Sequence, residues 1–197
     1  LVPTGGNPAR GEVFYALVPD PAGEFSDPVD RSLVVTGIPA VMAHEFQHMV
    51  HFNTRVLAGG SARVEALWLS EALAQMAEDL VFEHYAVEGD AVRASEYRAG
   101  NLERARRYLR DTGAVSLTVG SGAGTLAERG AGWLFARYLT DHFGGSRVLT
   151  DVTRGTNLGV ENVIDATGEP WSRTFSDWPI ALAFAGLNIG PVRFVCP

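Results

Sequence analysis

His44 and His48 stand four residues apart, with Glu45 directly after the first, in the stretch His44-Glu45-Phe46-Gln47-His48. An α-helix of 3.6 residues per turn brings positions i and i+4 nearly over one another, so both imidazoles can reach one Zn²⁺ at about 2.0–2.1 Å. Glu45 is displaced by about 100° around the same helix, beside the metal rather than on it, where it can act as a general base toward an attacking water. A third ligand should be a carboxylate or a histidine, and Glu71, in Trp68-Leu69-Ser70-Glu71, is the candidate. Two histidines and a glutamate with the fourth position open make a catalytic arrangement, whereas structural zinc sites close with a fourth protein ligand, often cysteine. The lone cysteine, Cys196, lies too near the end of the sequence to suggest such closure.

His44-Glu45-Phe46-Gln47-His48-Met49, followed by Trp68-Leu69-Ser70-Glu71-Ala72-Leu73 and Ala77-Glu78-Asp79, resembles the hyicolysin family of zinc metallopeptidases within the gluzincin group. Weaker likeness extends through Gly130 to Tyr138 and to Phe175-Ser176-Asp177-Trp178. The resemblance implies a peptide or protein substrate, one zinc ion, a secreted or extracellular setting, and a small β-sheet beside the metal helix. It also implies a tyrosine or histidine that hydrogen-bonds the oxyanion. No tyrosine directly precedes Gly130, where Arg129 stands instead. Arg129 could serve as a cation, and Tyr85, Tyr97, Tyr108, Tyr138 and His84 are the other candidates, so the role stays open.

The elements that must position these residues can be read around them. Pro39 suits a first-turn position, and Val41, Met42, Phe46, Met49, Val50 and Phe52 suggest a buried metal helix. Gly59-Gly60 breaks the chain, and Ser61 is placed to cap a second helix that runs toward Tyr85 and carries Glu71. Along it, Glu78 and Asp79 are alternatives for support of a ligand histidine, against the simpler reading of both as surface charge. His51 reads as a core or supporting histidine. A third helix is expected over 90–111, with Arg104, Arg106, Arg107 and Arg110 as a solvated face, and Gly120–Gly124 as a link. Thr125-Leu126-Ala127-Glu128 has the form of a capping box for a fourth helix ending at Gly144-Gly145. Shorter helices are expected over 147–153 and 160–166, with a last one from Pro170 that Pro179 can bend.

Before the metal helix, Val13-Phe14-Tyr15-Ala16-Leu17-Val18 is the clearest strand candidate, ended by Pro19-Asp20-Pro21. The expected fold class is therefore α+β, mostly helical: a zincin-like metallopeptidase domain with a small N-terminal β portion and a helical C-terminal lobe. One domain is expected over 1–197, with strand, loop and metal helix in 1–58 and the helical part in 59–197, excised from a longer chain.

With 197 residues, 46% of them hydrophobic, the chain can bury one sizeable core. A net charge of −7 and a pI of about 5.2 argue against a nucleic-acid surface. No apolar run reaches the length of a membrane span. Three functional readings follow: a zinc-dependent metallopeptidase with Glu45 as general base, a zinc-retaining but inactive or weakly active protein-binding domain, and a purely structural helical domain without metal.

Overall fold

A computed structural model describes residues 14–60, 63–118 and 124–185, together with the backbone of two short strands at 188–189 and 192–193. Among the described residues, seven α-helices make up most of the regular structure: α1 (Arg31–Phe52), α2 (Leu67–Val87), α3 (Ala91–Arg110), α4 (Leu126–His142), α5 (Ser146–Arg154), α6 (Val160–Thr167) and α7 (Trp171–Ala183). β1 (Asn188–Ile189) and β2 (Val192–Arg193) pair as an antiparallel hairpin of two residues each.

The architecture is thus helical, and the expected α+β class with an N-terminal β portion does not hold. Phe14–Val18 forms no strand among the described residues, and Tyr15, Leu17 and Val18 are exposed. A strand needs a partner for its backbone groups. The nearest backbone pairing is instead a single bridge from Asp20 to Val29, closing a loop whose Asp20 carboxylate accepts from the amides of Glu24 and Phe25, each at 2.9 Å.

At the centre lies α2. Leu69, Ala72, Leu73 and Met76 recur at spacings of three and four and are buried, and so are Ala74, Gln75, Glu78 and Asp79 on the other sides. It packs against α1, α3 and α4. Two glycines let α4 come close: a Cβ on Gly130 would overlap the carbonyl oxygen of Arg104 in α3, and one on Gly132 would sit 3.3 Å from Ala72 Cβ in α2. Phe135 of α4 meets Trp68, Trp171 and Trp178 at ring separations of 5.4–6.1 Å, joining α2 and α7 to the same core. The fully buried Asp79 binds Arg98 of α3 at 2.5 Å and Arg137 of α4 at 3.1 Å, so a charge otherwise costly to bury is paired from both neighbouring helices.

Helix ends follow local chemistry. The Thr125 capping box forms with both reciprocal bonds, and the Asp90 side chain accepts from the Arg93 amide. Pro179 stays inside α7 without ending it. The expected Ser61 cap and most of the Gly120–Gly124 link lie outside the described residues.

α1 departs most from expectation. It begins at Arg31, so Pro39 falls inside it rather than in its first turn, and it passes into a wider π-helical turn over Asn53–Ala58. It is not a buried helix: only His44 and His51 are buried along it, while Leu33, Val35, Val41, Phe46, Val50 and Phe52 are exposed.

Candidate metal centre

His44 and His48 project from the side of α1 that faces α2, and Glu71 projects from the second turn of α2 toward them. The Nε2 atom of His44 lies 3.5 Å from Glu71 Oε2, and that of His48 lies 3.6 Å from Glu71 Oε1. Tetrahedral coordination at zinc–ligand bonds of 2.0–2.1 Å would place ligand atoms about 3.3–3.4 Å apart. One ligand atom from each of the three residues lies within 4.8 Å of the others.

The other ring nitrogens are already engaged. His44 Nδ1 donates to Glu78 Oε1 at 2.8 Å, and its Nε2 faces Glu71. His48 Nδ1 lies 3.1 Å from Ser70 Oγ, a hydroxyl able to donate or accept, and its Nε2 faces Glu71. Such hydrogen bonds orient ligand histidines and raise their basicity. Glu71 Oε2 is buried without a hydrogen-bond partner among the described residues. A buried carboxylate oxygen facing two imidazole nitrogens that can shed their protons to a metal fits a divalent cation.

Electrostatics without a cation reflect the same crowding. Burial pulls the His44 pKa down, but Glu71 and Glu78 on either side overcome it and raise it to about 9. His48 is pushed below its ordinary value, by burial first and by the neighbouring His44 second. For Glu71, burial raises the pKa, yet His44, Arg129 and His48 together bring it below the usual carboxylate range.

Glu45 is exposed on α1 beside the cluster. Arg129, at the start of α4, brings Nη2 to 3.8 Å from Glu71 Oε2. The other oxyanion candidates lie elsewhere. Tyr108 and Tyr138 are buried among core aromatics, and Tyr85 stacks on Tyr97 with His84 beside it near the far end of α2.

Glu78 is no surface charge: it is 5% exposed, between His44 and Arg104, whose Nη1 lies 3.4 Å from its other oxygen. Asp79 turns to the Arg98 and Arg137 ion pairs instead. Arg104 therefore leaves the solvated set in which Arg106, Arg107 and Arg110 remain. Its position was readable, because Asn101, Arg104, Ala105 and Tyr108 form a stripe at spacings of three and four. Ser70 gave no comparable sign beyond preceding Glu71. No family model, curated protein or solved structure matches the chain.

Proposed function

We propose that the chain is a zinc-dependent metallopeptidase, with His44, His48 and Glu71 holding one Zn²⁺. The observation that carries this reading is the convergence of both Nε2 atoms on the Glu71 carboxylate while each Nδ1 is occupied. Bound zinc would supply a Lewis acid that polarises the scissile carbonyl and makes water a stronger acid.

The chain's own residues do the rest. Glu45, exposed and next in sequence to a ligand, takes the proton of the attacking water and later delivers it to the leaving amine. Glu78 and Ser70 hold the two imidazoles in the orientation that presents Nε2. Arg129, the cation beside Glu71, is the residue of this chain suited to the negative charge that develops on the carbonyl oxygen.

A second reading, a metal-retaining domain that binds a protein, has one observation in its favour: the exposed apolar side chains of α1 beside the site. Metal content and casein cleavage, measured together on wild type, Glu71→Ala and Glu45→Gln, separate the two. Expected are one zinc per wild-type chain, loss of metal in Glu71→Ala, and a fall of at least about 10²-fold in cleavage for Glu45→Gln with its metal kept. Zinc without cleavage by wild type selects the binding domain; well-folded protein without zinc removes both.

A further inference from the structure

The second oxygen of Glu78 leads to a third helix. Arg104 of α3 brings Nη1 to 3.4 Å from Glu78 Oε2, and the same nitrogen donates to Asn101 Oδ1 at 2.9 Å. Asn101 is fully buried, and its Nδ2 donates at 3.1 Å to the backbone carbonyl of Gln75, about one turn before Glu78 on α2. A chain of polar contacts therefore leaves α2 at Gln75, passes through two side chains of α3, returns to α2 at Glu78 and ends on His44 of α1.

The sequence of α3 makes room for this guanidinium. A long side chain on a helix leans back over the preceding turn, and four residues before Arg104 stands Gly100. A Cβ there would lie 3.3 Å from Arg104 Nη1 and 3.7 Å from its Cζ. Glycine is a poor helix former, and here its missing side chain leaves the guanidinium its place. The backbone carbonyl of Arg104 is in turn the point where Gly130 lets α4 approach, so α2 holds the residue by its side chain and α4 by its backbone. Glu78 needs such a partner. It is buried, and a buried carboxylate is poorly compensated by one neutral N–H, which is all that His44 offers once a metal holds its Nε2.

We infer that Arg104 is a positioning residue of the metal centre: by fixing the Glu78 carboxylate, it holds the His44 imidazole with Nε2 toward Glu71. The inference rests on the metal-holding part of the proposed function and not on peptide hydrolysis. A glutamine at position 78 that accepts from His44 would turn its amide NH₂ toward Arg104, so the effect of Arg104 depends on the carboxylate.

The test is zinc affinity, measured by competition with a chelator, for wild type, Arg104→Met, Glu78→Gln and the double variant, with urea unfolding of each metal-free protein. Methionine keeps an apolar stem and removes the guanidinium. Taking away a cation favours a divalent metal by charge alone, so weaker binding by Arg104→Met reports lost placement. The expected fall is about tenfold, the lower end for partners of ligand histidines. In the Glu78→Gln background the same change should alter affinity by less than about threefold. Arg98→Met, which breaks an ion pair to the neighbouring Asp79, should lower the urea midpoint yet keep zinc affinity within about threefold of wild type. Unchanged or tighter zinc binding by Arg104→Met, an undiminished fall in the Glu78→Gln background, or an equal fall in Arg98→Met would each overturn the assignment. If Arg104→Met alone does not fold, the double variant compared with Glu78→Gln decides: a difference above about threefold overturns the assignment, and a smaller one upholds it. Wild type that binds no zinc removes the metal reading and the role of Arg104 with it, whereas zinc binding indifferent to Arg104 defeats that role alone.

Discussion

The two helices that meet at the metal centre are held in opposite ways. α2 is surrounded: Leu69, Ala72, Leu73 and Met76 lie in the core, and Glu78 and Asp79 are buried with arginine partners. α1 buries two histidines and leaves most of its large apolar side chains in solvent. Glu71, Glu78 and Ser70 are thus mounted on a rigid base, while His44, Glu45 and His48 ride on a helix that packs on α2 and α3 along one face and leaves the other in solvent. On the proposed zinc reading, coordination would also have a structural task, because it would join α1, half of it in solvent, to the firmly held α2.

The largest effect should come from the base. Gly130→Ala adds a methyl group that overlaps the Arg104 carbonyl, and backbone on a packed helix cannot retreat cheaply. Alanine's better helix propensity returns about 1 kcal/mol, so the net expectation is a loss of about 2–3 kcal/mol, read as a lower urea midpoint with an unchanged slope. A gain in stability would show that α3 and α4 do not approach so closely. Next comes the joint between the helices. Glu78→Gln keeps the shape but removes the charge that orients His44, and zinc affinity should fall about 10–100-fold, measured by competition with a chelator. Unchanged affinity would make the Glu78–His44 contact incidental.

Protons compete for the same joint. With its folded-state pKa raised from 6.5 to about 9, His44 stabilises the metal-free fold fully below pH 6.5, and that contribution is lost as pH rises through about 9. His48 and His51 are shifted the other way, so their contribution is lost as pH falls below 6.5. Metal-free protein should therefore be most stable near neutral pH in urea titrations. Zinc must displace the His44 proton, so calorimetry in two buffers of different ionisation enthalpy should record release of about one proton at pH 7, vanishing above about pH 10. No release at pH 7 would mean that His44 is already neutral there.

What could be read without coordinates divides along the same line. The helices of the base carry their own periodicity and caps: Asp90, the Thr125–Glu128 box and Gly144-Gly145 mark their limits closely. The spacing of His44, His48 and Glu71 was enough to nominate the cluster, because helix geometry alone aligns the first pair. The environment of α1 was not readable. Val41, Phe46 and Val50 look like core residues in sequence, and nothing local tells whether an apolar side chain has a partner. Phe14–Val18 has strand composition, but strand formation depends on a distant edge to pair with, which composition does not encode. Glu78 and Arg104 sit in different helices, and their meeting depends on how closely those helices cross.

The smallest expected effect is the sharpest probe of the comparison. Phe46 on α1 is 59% exposed, and Phe135 on α4 is fully buried, although both are phenylalanines within helices. Phe46→Ser should change stability by no more than about 0.5 kcal/mol, because the side chain gives up little packing and the polar contacts of His44 and His48 are untouched. Urea unfolding at two protein concentrations checks this directly. A loss above about 1 kcal/mol that is independent of concentration would show that Phe46 packs within the chain. A loss that appears only in concentrated samples would show α1 pairing with another copy. No loss in either would show that Phe46 makes no packing tie from α1 to the base, and Phe46→Ser should then retain zinc as well as wild type does.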